Sequence, residues 1–550
     1  MFMNKFISIL LSLITAFATS VGISVESIFN SDFIESLDDS DIGQITKEAG
    51  YVRNTILLFF EEDAGFLEKC SVLLSDGGVT AGVIEEFNLY IVRTKGKDFD
   101  AINNLCNELN EKDSVALASY CPAKKLTEQY TPDDPFNDEN AYWNSDWDDE
   151  YPEGNNWHLE ATETRGAWGY KELFCHMNIG IVDGGFDTEH EELKGKISFP
   201  TSREKRRNRP NHHGTHVAGI IGAWQDNGVG ISGICSDSSL ICVDWSPSDG
   251  QLWIADLAIL QALSRVVKGG AKVINFSVGS STSMGDENYK YPDFVVNLDG
   301  MLYSYAMGSL LNKGYDFVVV QSAGNGNGES YAVDASQNGL FCAINEKNAF
   351  LPFGKVETQD LLDRIIIVGN AEWIPGGYEQ SPSSNVGDKV DICAPGSEIF
   401  SCTKNNTYLR KSGTSMSAPV VTGITALVWS VDETLTGAEV KKLVCENTKD
   451  IVLPTEDRHF EHLNFKAYPM VNAKLAVEAA LRQKGDFYDI SVATDGKKEI
   501  TFENESGQQF IFETNSDGIL NCVLEKGNYI IKADLVSKEI TVSGNIEFEI

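Results

Sequence analysis

Basic residues are scarce in this chain. Lys and Arg number 44 against 81 Asp and Glu in 550 residues, for a formal net charge of −37. So acidic a surface repels phosphate backbones, which excludes nucleic acid as an expected partner. Beyond Ala18, no apolar stretch reaches membrane-spanning length without charges or breakers, so no membrane span is expected in the mature chain. The eleven cysteines show neither metal-type spacing nor a disulfide ladder, and none sits in the signature of a cysteine nucleophile. Export would permit disulfides, but an odd count leaves at least one thiol unpaired. Cys393 and Cys445, inside apolar segments, read as small buried hydrophobes. No internal repeat is visible. Apolar residues, by contrast, are plentiful at 42%, enough for a large core and too many for a mostly disordered chain.

At ~150 residues per domain the length allows three or four units. The start reads as an export signal: Lys5, an apolar run from Phe6 to Ala18, then small residues at Ala16-Phe17-Ala18, with removal near Ala18 to Gly22. Residues 1–22 are therefore expected to be a signal peptide. Residues 23–128 alternate strand-like and helix-like runs: Thr55 to Phe60, Phe66 to Leu74, Ala81 to Thr94, Phe99 to Leu109, and a last possible strand at Val115 to Ala118. That order suits a small sheet packed by two helices, the split βαβ plan. From about Pro122 to Asn156 the chain is polar, acidic and proline-bearing, and reads as an exposed connection. From Trp157 to Gln483, apolar runs such as Asn178 to Val182, Lys272 to Phe276, Phe317 to Val320 and Ile365 to Val368 alternate with helical stretches at Leu252 to Val267 and Met301 to Leu311. This predicts an α/β, doubly wound, mostly parallel sheet. Residues 485–550 turn to period-two alternation with Gly punctuation, the pattern of a small antiparallel β domain. Arg203, Lys205, Arg206, Arg207 and Arg209 read as a solvated surface loop, with a docking patch as the alternative.

Four segments carry chemistry. In Ile181-Val182-Asp183-Gly184-Gly185 an acid closes an apolar strand, where open α/β sheets place their sites; a turn-capping acid is the plain alternative. His213-Gly214-Thr215-His216 follows His212, and histidine suits proton transfer near neutrality. Ser412-Gly413-Thr414-Ser415-Met416-Ser417-Ala418-Pro419 opens an apolar helix, whose free N–H groups suit a developing oxyanion. On chemistry alone Ser412 and Ser417 compete with Ser415, and a simple cap is also common. Gln321-Ser322-Ala323-Gly324-Asn325 offers an amide after a strand. Each signal is weak alone. Together they supply an acid, a base, a nucleophile and an oxyanion donor, in the order Asp, His, Ser that one known protease lineage uses.

These segments resemble the subtilisin-like serine protease family (peptidase S8), over most of residues 125–483. Tyr130 to Pro135 and Trp157-His158-Leu159 resemble the family's mature start. The resemblance implies Asp183, His213 and Ser415 as the triad, Asn325 as the oxyanion donor, and Ser277, Val278, Gly279 and Gly324 as substrate-binding positions. It implies covalent acyl transfer on protein or peptide substrates, with no cofactor required. Structural calcium is frequent in the family; Asp226 and Asn227 lie in a loop of that kind, although a surface turn is the plainer reading. Departures from the family pattern are Gly184 after the acid and Ser417-Ala418-Pro419-Val420 after the nucleophile.

The expected organisation is thus signal 1–22, inhibitory propeptide of the subtilisin inhibitor type 23–128, peptidase 129–484 and accessory β-sandwich-like module 485–550, in a secreted or envelope-associated enzyme. The propeptide would be its own enzyme's inhibitor, self-cleaved between Cys121 and Pro132; Lys124-Lys125 offers a competing target for a separate protease. Asp286 and Glu287 would favour a basic residue before the cut if their loop folds over the pocket. A catalytically inactive binding protein of the same fold, and a maturase with few clients, are the alternative functions.

Overall fold

The computed structural model describes residues 42–45, 49–75, 79–84, 87–96, 98–128, 157–245, 253–280, 291–326, 332–455, 463, 465–534 and 536–550. The expected signal segment, the acidic connection beyond Glu128, and Asp286 with Glu287 lie outside the described residues.

The N-terminal region forms an antiparallel sheet in the order Val115–Glu128, Ala49–Phe60, Leu89–Arg93, Val79–Ile84. Helices Phe66–Ser75 and Phe99–Asn110 connect it, as the split βαβ plan requires. In the second helix Ile102, Cys106 and Leu109 are buried at helical spacing, and the Asp98 carboxylate caps the start by accepting from the Ala101 N–H. The last strand departs from expectation. It does not stop at Ala118 but runs on to Glu128, into the stretch read as an exposed connection. It continues because partners are available. Ala123–Lys125 pairs antiparallel with Trp253–Ala255, and Leu126–Glu128 pairs antiparallel with Val278–Ser280. Trp253–Ala255 is itself a correction: it is a strand, and the helix expected from Leu252 begins at Asp256 and runs to Lys268. Aromatic and β-branched residues favour a pleated partner when an edge is offered.

The central unit is the expected parallel sheet. Its core runs Ile392–Pro395, Ile365–Ile374, Val318–Ser322, Val273–Phe276, Met177–Asp183, Ser238–Asp244. Helices Asp256–Lys268 and Asp293–Asn312 cover one face together with the N-terminal sheet. Helices His212–Gly222, Thr414–Val431 and Ala473–Lys484 cover the other. Burial on both faces explains why these strands read as unbroken apolar runs. From Met177–Asp183 the chain moves to one side, to Ser238–Asp244, and then returns to the other, to Val273–Phe276. The topological switch point therefore lies at the carboxyl ends of the strands that end at Asp183 and Phe276.

Residues 487–549 form sheets of three and four strands. Pairing is antiparallel except that Ile546–Glu549 runs parallel to Phe487–Ala493. Their apolar side chains join the same core cluster as the helix Thr414–Val431. Buried Tyr170 stands at the junction. Its ring meets Phe512 at 4.9 Å, and its hydroxyl donates to Glu478 and accepts from the Val523 N–H, both at 2.9 Å.

Two smaller expectations are corrected. The basic stretch is not a loop: Ser202–Arg207 is a helix capped by Thr201, and its Glu204 is buried against Arg265 at 2.5 Å. A carboxylate at the third helical position, close to a partner on Asp256–Lys268, holds the segment in place. Cys445 is half-buried rather than buried, while Cys393 is fully buried. All eleven cysteines are free thiols. Among the described residues, Thr414–Val431 is the one helix long and apolar enough to cross a membrane, and it is wholly buried in the core.

Candidate active site

Asp183 ends its strand with its side chain 1% exposed. One carboxylate oxygen accepts from the Gly184 N–H at 2.7 Å and faces His213 Nδ1 at 2.6 Å. The short distance and the burial make this a charge-assisted contact that fixes the imidazole's orientation. His213 occupies the first turn of its helix, and its N–H donates to the capping Asn211 side chain at 3.0 Å. The helix can approach the acid because residue 214 is glycine. A Cβ there would lie 1.8 Å from the Gly184 carbonyl oxygen.

Ser415 lies in the first turn of the long buried helix, behind Gly413 at φ 140°. Pro419 sits inside that helix and has no N–H, so the Ser415 carbonyl loses its usual partner four residues on. Ser277 supplies the replacement: its hydroxyl donates to the Ser415 carbonyl at 2.9 Å. The Ser277 carbonyl in turn accepts from the Ser415 hydroxyl at 3.3 Å. The Asn275 side-chain amide donates from Nδ2 to Ser277 Oγ at 2.9 Å, and the Thr422 hydroxyl donates to Asn275 Oδ1 at 3.0 Å. Ser277 thus joins the end of the strand Val273–Phe276 to the start of the helix.

Asn325 follows Gly324 beyond the strand Val318–Ser322. Its side-chain oxygen accepts from both the N–H and the hydroxyl of Thr414, each at 2.9 Å. With the oxygen held there, the amide nitrogen is the end that can donate to a substrate, beside the N–H of Ser415 at the positive end of the helix. Asn385 fixes the loop below, donating to the Ala323 carbonyl and accepting from Gly326 N–H and Val333 N–H.

Other side chains that compete on chemistry have other work. His216 is buried and its Nε2 donates to the carbonyls of Ile399 and Leu409, tying the helix to the hairpin Ile399–Thr403/Thr407–Lys411. Burial first, and Lys411 next, hold it well below the usual imidazole range. His212 is pushed down to about 4 by burial and by Lys404 and Lys411. The Ser412 hydroxyl donates to Glu398 and accepts from its N–H. Ser417 is buried against Gly396. Val278 and Gly279 lie on the edge strand that follows Ser277, and the Gly324 N–H donates to Thr414 Oγ1 at 3.2 Å, so Ser277, Gly324, Asn325 and Ser415 meet at the start of the long helix, while Asp183 and His213 form a second pair. Sequence reading missed Thr414, Asn275 and Asn385. A lone Asn within the apolar run Lys272 to Phe276 was the one visible signal.

The loop at Asp226 and Asn227 is held by hydrogen bonds within the protein. Glu192, the buried carboxylate below it, accepts from Asn227 Nδ2 at 2.9 Å and from Ile231 N–H at 2.6 Å. Asn227 Oδ1 accepts from Val229 N–H at 2.9 Å. Among the described residues, no three His, Cys, Asp or Glu side chains gather closely enough to hold a metal.

A buried Asp–His pair at the switch point, and a serine at a helix N-terminus beside an oriented amide, are the parts used by serine hydrolases that work by acyl transfer. Comparison with known proteins makes this specific. The family model described as "Subtilase family" matches residues 176–467, and the chain belongs to that family. It is a subtilisin-like serine endopeptidase. It is similar to the thermophilic serine proteinase of Bacillus sp. (strain AK1), 26% identical over 455 residues, covering 81% of this chain and 94% of that one. It also resembles subtilisin DY of Bacillus licheniformis, 30% identical over 279 residues, covering 50% of this chain and 84% of the other. Among solved structures, fervidolysin of Fervidobacterium pennivorans shares the fold, with a TM-score of 0.54 and 18% identity over 92% of this chain and 79% of its own.

Proposed function

We propose that the protein is a secreted serine endopeptidase made as a precursor, in which Asp183, His213 and Ser415 are the triad and residues 23–128 are a propeptide that the enzyme removes from itself. Ser415 Oγ attacks the peptide carbonyl carbon while His213 takes its proton. Asp183 orients the ring and stabilises its cation. The Ser415 N–H and the Asn325 amide receive the oxyanion. The amine then leaves with the proton from His213, and water releases the acyl group. In the structure the Ser415 hydroxyl donates to the Ser277 carbonyl, and the proposed reaction requires it to turn to His213. Secretion rests on the N-terminal pattern of charge, apolar run and small residues.

The observation that carries the propeptide reading is the course of the N-terminal region's last strand. Its residues Leu126–Glu128 pair with the edge strand Val278–Ser280, immediately beside Ser277. An extended segment held by an enzyme's edge strand is how peptides and inhibitors are bound. Because pairing reaches Glu128, we place the self-cleaved bond between Glu128 and Pro132. Lys124 and Lys125 suit a separate protease poorly: Lys124 is paired on both sides, to Ala49 and Ile254, and Lys125 pairs with Trp253.

The test is a purified Ser415→Ala precursor made in the native secretion host. It should stay at full length, while the wild type gains a new N-terminus after Glu128. A new N-terminus after Lys125 in the mutant would assign processing to another protease. Casein and a peptide library, given to the processed enzyme, separate broad degradation from service to a few clients and from inert binding.

A further inference from the structure

Five cations lie between Arg203 and Arg209 in a chain whose net charge is −37, and the proposed triad uses none of them. The fold turns their charge outward. Lys205, Arg206 and Arg209 are exposed, while Glu204, the one acid among them, is buried against Arg265. With that carboxylate turned inward, the outer surface carries charge of one sign, and its potential adds rather than cancels. The patch is also fixed beside the Asp183–His213 pair. Asn208 clamps Phe186: its Oδ1 accepts from the Phe186 N–H and its Nδ2 donates to the Phe186 carbonyl, each at 2.8 Å. The Arg209 N–H donates to Asp244 at 2.9 Å, and the Asn211 N–H donates to the Gly185 carbonyl at 3.3 Å. Packing there is so close that a Cβ on Gly185 would lie 1.4 Å from the Arg209 carbonyl oxygen. Arg209 precedes His213 by four residues, a reach of at most ~14 Å.

Charge of the opposite sign starts close by. Residues 129–156 hold nine Asp or Glu and no Lys, Arg or His. Just before them, Leu126–Glu128 pairs with Val278–Ser280, beside Ser277. Asp133 and Asp134 follow Glu128 by five and six residues, a reach of at most ~22 Å. In a precursor that cuts itself beyond Glu128, His213 and the bond must meet. Chain length alone then brings Asp133 and Asp134 toward Arg209. The acidic segment is joined to the folded protein at both ends, so its effective concentration at this surface exceeds that of any separate acidic peptide.

We propose that Lys205, Arg206 and Arg209 form the docking surface for the chain's own acidic connection, with Asp133 and Asp134 as its first contacts, and that docking holds the amine side of the self-cleaved bond in place. The proposal rests on the self-processing reading above. A single exposed ion pair contributes little, but several on one tethered segment act together and weaken together as salt rises.

Two experiments on the full-length chain test it. In the first, the Ser415→Ala precursor is treated with a carbodiimide, which joins a lysine amine to a touching carboxylate as an amide and itself takes up the water. Lys205 is the one lysine of the patch. Peptide mapping should link it, within one chain, to residues 133–153 at ~20 mM NaCl and far less at ~0.5 M. No link from Lys205, links to another acidic region, or links between two chains overturn the proposal. In the second, precursor with Ser415 intact is refolded by dilution and release of the N-terminal region is timed. Lys205→Glu, Arg206→Glu and Arg209→Glu together should slow release at least ~10-fold at low salt, and so should Asp133→Lys with Asp134→Lys. Combining the two sets should restore most of the rate, which a merely structural role for the basic helix would not do. An unslowed basic-patch variant, or no rescue by the combination, overturns the proposal. Self-release by the Ser415→Ala chain would strike the self-processing reading instead, and the cross-links would still decide the docking. Should a charge-reversed chain fail to refold, the cross-links on the unaltered surface decide.

Discussion

Ser277 solves a problem that Pro419 creates. The proline leaves the Ser415 carbonyl without its helical donor, and the Ser277 hydroxyl fills the gap at 2.9 Å. Ser277→Ala should therefore lower stability by ~1–3 kcal/mol, the cost of a buried carbonyl left unsatisfied. In a Pro419→Ala background, where the N–H returns, the same substitution should cost markedly less. A double-mutant cycle in urea measures the difference, and simple additivity would break the link. The proposed catalytic side chains should give larger effects. Ser415→Ala or His213→Ala should reduce peptidase turnover by several orders of magnitude, and Asn325→Ala by about 100- to 1,000-fold, as when one oxyanion donor is lost from a related enzyme. The candidate triad could be proposed from sequence because its acid, base and nucleophile sit in short motifs at strand and helix ends. Thr414 and Asn385 were not legible, because their work is to hold other polar groups, and a hydrogen bond across 89 residues, as from Thr414 to Asn325, leaves no local pattern.

Elements, too, are fixed by single side chains at their contacts. The helix that carries His213 is set against the acid's strand through Gly214, and against the hairpin through His216. Gly214→Ala should push His213 off Asp183, lowering kcat by ~100-fold, with fluorophosphonate labelling slowed in parallel; unchanged turnover in a folded variant would show that the contact has slack. The histidine contact predicts a pH effect. His216 lies well below 6.5, and His158 is lowered to about 4 by burial and then by Arg165. Both stay neutral in the folded protein while the unfolded chain takes up protons. Their contribution is thus present above ~6.5 and is lost as pH falls toward ~4. Between pH 6.5 and 5, unfolding free energy should decline with a slope that His216→Gln reduces, by at most ~1.4 kcal/mol per pH unit. Element types were readable from periodicity, as in Phe99–Asn110 and Ile365–Ile374. The strand Val115–Glu128 was underestimated because its second half is held by partners far away in sequence, Ala49–Tyr51, Trp253–Ala255 and Val278–Ser280, and no local alternation records them.

On the scale of the whole molecule, the C-terminal sheets bear on what counts as a domain. Their alternating strands read as a separate accessory module, which would allow truncation after Gln483 with hydrolysis of a small peptide largely intact. The structure joins them to the central unit through one apolar cluster. Tyr170 is fully buried, with its ring on Phe512 and its hydroxyl bridging Glu478 and Val523. Glu478 is 4% exposed on Ala473–Lys484 and also lies near Lys474 and Arg482. Removing residues 484–550 would expose the Tyr170 face and take away the Val523 donor. Period-two alternation shows that one face of each strand is buried; it does not say against what, so dependence of this kind cannot be read from it. The truncated chain is therefore expected to be unstable, with a lower Tm and a tendency to aggregate, because a fresh apolar face is uncovered. Tyr170→Phe in the full chain isolates the polar part: it keeps the ring and strands one buried N–H, for ~1–3 kcal/mol of stability. Thermal melts of both, with casein turnover at 25 °C as the control for folded enzyme, decide the point. A truncated enzyme that melts with the parent and keeps its turnover would return the sheets to the status of a dispensable appendage.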